Sequence, residues 1–378
     1  MQSLKVLLIF SAIVYANAAR KCFEETLTTV SGTHAPAADS FGSGDLIFEE
    51  VFEELDFTKW EHENTLAGGG NWEFQWYANN RSNSYVEDGK LHIVPTIIAD
   101  EYGEAFLSSG NLNVHGGAPA DQCTNPLFYG CERQGNPQNF VNPTKSARLR
   151  TVNSFAFKYG TIEIRAKMPA GDWLWPALWM MPKMNAYGSW PSSGEIDIME
   201  SRGNRGLFNG ATNVGAQQVG HTLHFGPRYD TNGWPTAHMT HNQAPGFNAD
   251  FNTFKLVWTD ESLTFFVNER QTAKFEAGEG FWKRAGFDQT GRDNPWKRSK
   301  SLMAPFDQEF YIIMNLAVGG VGYFSDSFRN DGANKPWKNN SPTAARDFWN
   351  GHNDWQPTWN LESDDSHLQV DYVRVWAL

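Results

Sequence analysis

Three carboxylates lie close together in the run at residues 193–201. Glu195 and Asp197 are two positions apart, so a regular strand places both on one face. Glu200 would fall on the opposite face unless a β-bulge near Ile198 and Met199 adds one residue and restores the alternation. Three acids on one face repel one another, which suits chemistry that needs one carboxyl protonated beside another that is ionised. The run therefore predicts a catalytic strand.

A solvated strand face is the simpler explanation of alternating acids, because antiparallel sheets commonly expose one face to water. The break in the alternation at Met199 is not needed for solubility. In addition, the preceding segment places Trp175, Ala177 and Trp179 on one strand face. A hydrophobic core tolerates this pattern, but a sugar-binding groove also uses it, because aromatic rings stack on the C–H patches of a pyranose.

The elements that must position these residues are strands. Short alternating apolar segments, separated by Gly, Asn, Asp and Pro, recur at residues 46–52, 90–95, 147–151, 160–168, 175–181, 195–200, 220–225, 253–259, 263–268, 310–318 and 368–376. The clearest hairpin turns at Asp260 and Glu261. Helical periodicity is hard to find, and the pattern predicts an all-β sandwich. Residues 275–307 and 325–367 show no periodicity and are expected to be long functional loops.

Composition narrows the classes of partner. The 378 residues carry 31 Lys and Arg against 43 Asp and Glu, a formal net charge of −12. An acidic chain is a poor partner for nucleic acid or an anionic membrane surface, and it suits a neutral ligand. No apolar stretch in the body of the chain is long enough to cross a membrane.

The N-terminus reads as a targeting segment. Lys5, an apolar run at residues 6–14 and the small residues 16–18 predict a signal peptide at 1–18, and therefore secretion. Residues 19–45 are expected to form an N-terminal extension, and residues 46–378 a single domain. In an oxidising compartment Cys123 and Cys131 should form a disulfide, which leaves Cys22 either free or paired elsewhere.

The chain resembles glycoside hydrolase family 16, in its laminarinase (endo-1,3-β-glucanase) branch. The resemblance rests on the EIDIME run at residues 195–200 and on four further segments, 72–77 with 79–81, 159–169, 175–182 and 370–376. It implies a jelly-roll sandwich of two antiparallel sheets with a concave substrate cleft. It also implies a retaining double displacement with Glu195 as nucleophile, Glu200 as acid/base and Asp197 as the residue that tunes their protonation.

The resemblance further implies a set of substrate-binding residues. These are Asn80, Arg81, Glu163, Arg165, Trp175, Trp179, Trp190, His224 and Asn315. A surface ion pair is the alternative for Glu163 and Arg165, and each tryptophan could equally belong to the core.

Metal binding is implied only as a structural feature. The resemblance places a calcium ion on the convex side, with the acidic ligand Asp371 and mainly backbone oxygens of Gly89 and Glu50. No cofactor is expected for catalysis. His221 and His224 are three residues apart, but this spacing alone gives little support for zinc.

These observations favour a secreted, monomeric endo-1,3-β-glucanase that acts on laminarin-type glucan. The main alternative is a non-hydrolytic β-1,3-glucan recognition protein of innate immunity, a class that resembles the same fold. Such proteins typically lose one or both catalytic glutamates, whereas this chain has Glu195 and Glu200. A member of the family that acts on mixed-linkage glucan, xyloglucan or a galactan is a second alternative. Enzymes for mixed-linkage glucan and xyloglucan usually lack the extra strand residue that Met199 represents, which disfavours those two polymers.

Overall fold

Strands dominate residues 24–378, the part of the chain that the computed structural model describes. The predicted signal peptide and Cys22 lie outside these residues. The strands are β1 Thr29–Ser31, β2 Leu46–Glu50, β3 Glu61–His62, β4 Gln75–Tyr77, β5 Ser84–Glu87, β6 Lys90–Ile93, β7 Thr96–Ile97, β8 Asn111–Asn113, β9 Glu132–Gln134, β10 Thr144–Ser146, β11 Arg148–Arg150, β12 Ala156–Lys158, β13 Gly160–Lys167, β14 Leu174–Pro182, β15 Glu195–Ser201, β16 Leu207–Asn209, β17 Thr212–Asn213, β18 Gln218–His224, β19 His238–Asn242, β20 Asn252–Trp258, β21 Ser262–Val267, β22 Arg270–Glu276, β23 Phe310–Val318, β24 Arg329–Asn330 and β25 Leu368–Trp376.

The helices are short. The α-helices of the described residues are α1 Ile98–Tyr102, α2 Glu104–Ser109, α3 Phe281–Arg284, α4 Ala344–Asn350 and α5 His352–Trp355. Single 3₁₀ turns lie at Gly68–Gly70, Pro119–Asp121, Leu127–Tyr129, Trp234–Thr236, Phe287–Gln289, Gln356–Trp359 and Asp364–Ser366. The two long stretches expected to be loops thus contain three of these α-helices. Within residues 24–378, no helix combines the length and apolar character needed to cross a bilayer.

Two antiparallel sheets form the body of the molecule, which confirms the predicted all-β jelly-roll sandwich. The inner sheet has nine strands in the order β1-β12-β23-β14-β15-β18-β19, with β11 paired to β23 and β3 paired to β11. The outer sheet has eight strands in the order β22-β21-β20-β13-β25-β6-β5, with β2 paired to β25. The predicted hairpin is β20 and β21, in which Trp258 pairs with Leu263.

The hydrophobic core lies between the two sheets. In β13 of the outer sheet, Ile162 and Ile164 are fully buried, while the residues between them are partly exposed. In β14 of the inner sheet, Leu178 and Met180 are fully buried. Because side chains alternate along a strand, the opposite face of the inner sheet is available for a ligand, and we call it the cleft face.

Part of residues 19–45, the expected N-terminal extension, pairs with the sandwich. Strand β1 pairs with β12 of the inner sheet, Val30 being opposite Phe157. The Thr26 hydroxyl donates to the carbonyl oxygen of Leu378, at 2.8 Å. The backbone N–H of Leu378 in turn donates to the Thr28 hydroxyl, also at 2.8 Å. The start of the described chain is therefore joined to its end.

Candidate active site

The predicted β-bulge is present in β15. Asp197 pairs with Thr222 of β18 and Glu200 pairs with Gly220, so two residues of β15 oppose one residue of β18. On the other side, Glu200 pairs with Ala177 of β14 and Met199 pairs with Leu178. The extra residue is Ile198, and it returns Glu200 to the cleft face with Asp197 and Glu195.

A buried histidine stabilises the bulge. A bulge leaves one residue outside the regular ladder, and its backbone groups need other partners. The ring Nδ1 of His221 lies 2.6 Å from the Ile198 carbonyl oxygen, and its Nε2 lies 2.8 Å from the Thr272 hydroxyl. Burial lowers the pKa of His221 to about 4, so the ring is neutral. Nδ1–H therefore donates to Ile198. This histidine is a part of the frame that positions Glu200, and it was not predicted in that role.

Each glutamate accepts a hydrogen bond from a tryptophan indole. Trp190 Nε1 donates to Glu195 Oε2 at 2.5 Å, and Trp175 Nε1 donates to Glu200 Oε1 at 2.9 Å. Trp190 is 40% exposed, whereas Trp175 is 9% exposed. Both tryptophans were expected to stack on sugar, which stays a prediction, and the structure shows that their indole N–H groups orient the two carboxylates.

Asp197 is the most buried of the three acids. Burial, and then the negative charge of Glu195, raise the pKa of Asp197 to about 7. Its Oδ2 lies 3.3 Å from His224 Nε2 but has no well-aligned hydrogen-bond donor. Glu195, Asp197 and His224 each place one polar atom within 4.8 Å of the others. A proton on Asp197 can thus stabilise an ionised Glu195 beside it.

Glu200 also has a raised pKa. Burial, and then the charge of Asp197, raise the pKa of Glu200 to about 7. The hydrogen bond from Trp175 acts in the opposite direction, because it favours the ionised carboxylate. A carboxyl that keeps its proton near neutral pH can act as a general acid.

His224 lies opposite Glu195 in the pairing of β15 with β18. Burial disfavours its charged form, but Glu195 and the two other acids outweigh burial and raise the pKa of His224 to about 9. Asn232 contacts the other nitrogen of the ring. Its Oδ1 accepts the backbone N–H groups of Phe225 and Trp234, so its amide nitrogen faces His224 Nδ1 at 2.9 Å. That contact favours a lone pair on Nδ1 and a proton on Nε2, towards Asp197.

An aromatic stack supports the Glu200 side of the site. The Trp175 ring stacks on the Tyr323 ring with centroids 3.9 Å apart and planes at 4°. The Arg202 guanidinium lies 3.9 Å from the centre of the Tyr323 ring. Neither Tyr323 nor Arg202 was predicted. The position of Tyr323 beside Glu200 depends on the fold, whereas Arg202 follows Glu200 by only two residues and was overlooked.

A second group of partners surrounds Trp179. Its indole nitrogen donates to Asn315 Oδ1 at 2.7 Å, so the buried amide of Asn315 has a polar partner. The guanidinium of Arg148 lies 5.2 Å from the Trp179 ring and within 3.4 Å of Glu63. The charges of Glu63, Tyr77 and Glu73 outweigh burial and raise the pKa of Arg148. This network was also missed from the sequence.

Glu163 and Arg165 do not reach the site. Both lie in β13 of the outer sheet, on the face opposite to the buried Ile162 and Ile164. Glu163 accepts a hydrogen bond from the Tyr372 hydroxyl at 2.8 Å, and Arg165 forms an ion pair with Asp371. The structure therefore places neither residue beside the three acids, and the alternative of an ion pair between the two is not formed, because each contacts a residue of β25 instead. Alternation showed that they share a face, but not to which sheet the strand belongs.

Asn80 and Arg81 lie beyond the edge strand β3. Asn80 Oδ1 accepts the backbone N–H of Ser82 at 2.8 Å, and Arg81 contacts the ring of His62 at 3.3 Å. Among the described residues, no hydrogen bond joins either residue to the three acids. Their role in binding remains a prediction.

The expected calcium ligands converge, but their carboxylates already have partners. Strands β2 and β6 both pair with β25, on either side of Asp371, which brings Glu50 and Gly89 near it. Asp371 pairs with Arg165, and Glu50 accepts the Phe52 N–H at 2.9 Å and the Trp60 indole at 3.2 Å. The donor set does not fit a calcium site built from side chains, and only main-chain oxygens could form one.

Comparisons with known proteins agree with this geometry. The model of glycosyl hydrolases family 16 matches residues 131–290. The β-1,3-glucan-binding protein of Penaeus monodon is 48% identical, over 88% of this chain and 90% of that protein. β-1,3-Glucan-binding protein 1 of Galleria mellonella is 34% identical, and the match spans 89% of this chain but only 64% of that relative. The solved laminarinase from Rhodothermus marinus superposes with a TM-score of 0.54 at 24% identity, over 89% of this chain and 98% of the enzyme chain. The chain belongs to glycosyl hydrolases family 16, a family whose glycosidases need no cofactor for catalysis.

Proposed function

We propose that the protein is a secreted, retaining endo-1,3-β-glucanase. The observation that carries the proposal is the pairing of Glu195 and Glu200 across a bulge, with each carboxylate oriented by a separate indole N–H. Two carboxyls with different protonation are what a retaining displacement requires. A chain that only binds glucan does not need Glu200 to keep a proton near neutral pH.

The proposed reaction has two steps. Ionised Glu195 attacks the anomeric carbon while Glu200 donates its proton to the departing glycosidic oxygen. The glycosyl–enzyme bond is then broken by water, whose proton returns to Glu200. The protonated Asp197 stabilises Glu195 whenever that carboxylate is ionised. The polymer assignment to β-1,3-glucan rests on the names of the relatives and on the aromatic cleft face.

Recognition of β-1,3-glucan without hydrolysis is the second candidate. It is favoured by one observation, the printed names of the relatives from Penaeus monodon and Galleria mellonella. The same cleft face serves both functions, because binding precedes chemistry. Activity, and not affinity, therefore distinguishes the two candidates.

Product analysis on laminarin tests the proposal. The wild-type chain is expected to release short oligosaccharides, and Glu195→Gln to release none while still sedimenting with insoluble β-1,3-glucan. Glu276→Gln is the matched control, because Glu276 is an exposed residue of β22 in the outer sheet and should not affect turnover. Binding without products from the wild type would establish the recognition protein instead.

A further inference from the structure

Two buried histidines and one aspartate converge on the outer sheet, far in the fold from the three acids. His92 lies in β6, and His367 and Asp364 lie in the segment that leads into β25. In β6, Leu91 and Ile93 face the core, so His92 faces the opposite side of the outer sheet. His92 is nevertheless only 1% exposed and His367 only 7%, because the turn at Asp364–Ser366 helps to cover them.

The three polar atoms have the spacing of metal ligands. His367 Nδ1 lies 3.2 Å from His92 Nδ1 and 3.3 Å from Asp364 Oδ1. Each of the three residues offers one ligand atom within 4.8 Å of the atoms offered by the other two. In a tetrahedral zinc site with Zn–N and Zn–O bonds of about 2.1 Å, neighbouring ligand atoms are separated by about 3.4 Å. The two short spacings match the edges of such a tetrahedron.

Hydrogen bonding among the three residues alone leaves one group to be satisfied by solvent, which reaches the half-exposed Asp364. A neutral imidazole has one N–H, and a proton on His367 Nδ1 can point to His92 or to Asp364, but not linearly to both. If His92 Nδ1 donates to His367 instead, the lone pair of the Asp364 oxygen has no donor from the pair. A cation among the three atoms pairs with every lone pair at once.

The rings are also fixed before any ligand arrives. Tyr85 stacks on His92 with centroids 5.1 Å apart and planes at 4°. The same tyrosine packs edge-on against His367, with centroids 6.4 Å apart. Fixed ligands lose little conformational freedom on binding, which favours affinity. The Asp364 side chain is 55% exposed, which leaves an entry path and room for a water ligand.

We propose that His92, His367 and Asp364 bind one divalent zinc-like cation, with water as the fourth ligand. Two imidazole nitrogens and one carboxylate oxygen favour zinc over the hard cations calcium and magnesium, which prefer oxygen donors. The ion would join the turn at Asp364–Ser366 to β6 and so hold the end of the long segment 325–367 against the outer sheet. This role is independent of the reaction at Glu195.

Zinc binding by the full chain tests the proposal. The protein is stripped with a chelator, and bound zinc is measured by equilibrium dialysis and titration calorimetry. One saturable equivalent and a rise in Tm are expected, with no comparable effect of Ca²⁺ or Mg²⁺. Co²⁺ in place of zinc should give the visible absorption of a tetrahedral site. Weak binding that does not saturate, or an octahedral Co²⁺ spectrum, would overturn the proposal.

Variants locate the ion. His367→Gln should lower zinc affinity by at least about tenfold, because an amide replaces an imidazole ligand. Asp364→Asn tests the same site at an exposed position, should His367→Gln fail to fold. His115→Gln is the control for an exposed histidine, and His224→Gln removes the other group of carboxylates and histidine in the described residues. Zinc lost in His224→Gln but kept in His367→Gln and Asp364→Asn would place the ion in the cleft and contradict the proposal.

Discussion

The protonation of Glu200 is set by burial and by the charges and the hydrogen-bond donor around it. Burial and Asp197 raise its pKa to about 7, while His224, the Trp175 indole and Arg202 act in the opposite direction. Catalysis needs the protonated form of Glu200, so kcat/KM on laminarin should fall as the pH rises through about 7. A pH profile of initial rates measures this limb.

Trp175→Phe tests in which direction the indole hydrogen bond shifts the pKa of Glu200. Without the indole N–H the ionised carboxylate loses its donor, so the pKa of Glu200 should rise and the alkaline limb should move to higher pH. Trp190→Phe is the matched control, because Trp190 bonds to Glu195 and should leave that limb in place. If both variants shift the limb equally, Glu200 is not the group that titrates.

At the scale of elements, the bulge in β15 depends on His221 of β18. His221→Phe keeps a ring that packs against Phe265, 5.0 Å away in the native pair, but leaves the Ile198 carbonyl without its donor. An unpaired buried carbonyl costs about 1–3 kcal/mol. We expect a lower Tm and a fall in kcat that exceeds the change in KM, because Glu200 is re-aimed.

His241→Phe is the comparison for this prediction. His241 lies in β19 and pairs with Val219, and its ring is 6.3 Å from Phe247. It has no described contact with Ile198 and should leave kcat unchanged. A normal kcat in His221→Phe would show that the bulge holds without the histidine.

At the scale of the whole molecule, the two ends of the described chain support each other. Deleting residues up to 31 removes β1 and the hydrogen bonds of Thr26 and Thr28 with Leu378. Each lost hydrogen bond contributes roughly 0.5–1.5 kcal/mol, so we expect Tm to fall by several degrees. A chain that begins at residue 24 is the control in a thermal melt. An unchanged Tm in the shorter chain would mean that residues 24–45 are a separable extension after all.

Much of this molecule follows from local sequence patterns. Alternation along single strands predicts the shared face of Glu195 and Asp197, the bulge before Glu200, and the shared face of Trp175 and Trp179. These are properties of one strand and need no knowledge of its neighbours. The same rule fails for Glu163 and Arg165, because alternation does not assign a strand to a sheet.

The residues that were missed lie on other segments of the chain than the residues they contact. Tyr323 stacks on Trp175, Asn232 contacts His224, and Arg148 packs on Trp179, in each case across a loop or a strand pairing. Strand β1 was missed for a similar reason, since three residues are too few to show a period. These contacts depend on how strands and loops pack in the folded protein, which local sequence patterns do not specify.

The bulge in β15 also has a genetic consequence. Loss of the single codon for Ile198 would give a strand that pairs without interruption and satisfies its backbone more fully. Because the bulge absorbs that one residue, Glu195, Asp197 and Glu200 would still share the cleft face of the shortened strand. A one-codon deletion would therefore shorten the separation of Glu195 and Glu200 along the strand without placing them on different faces.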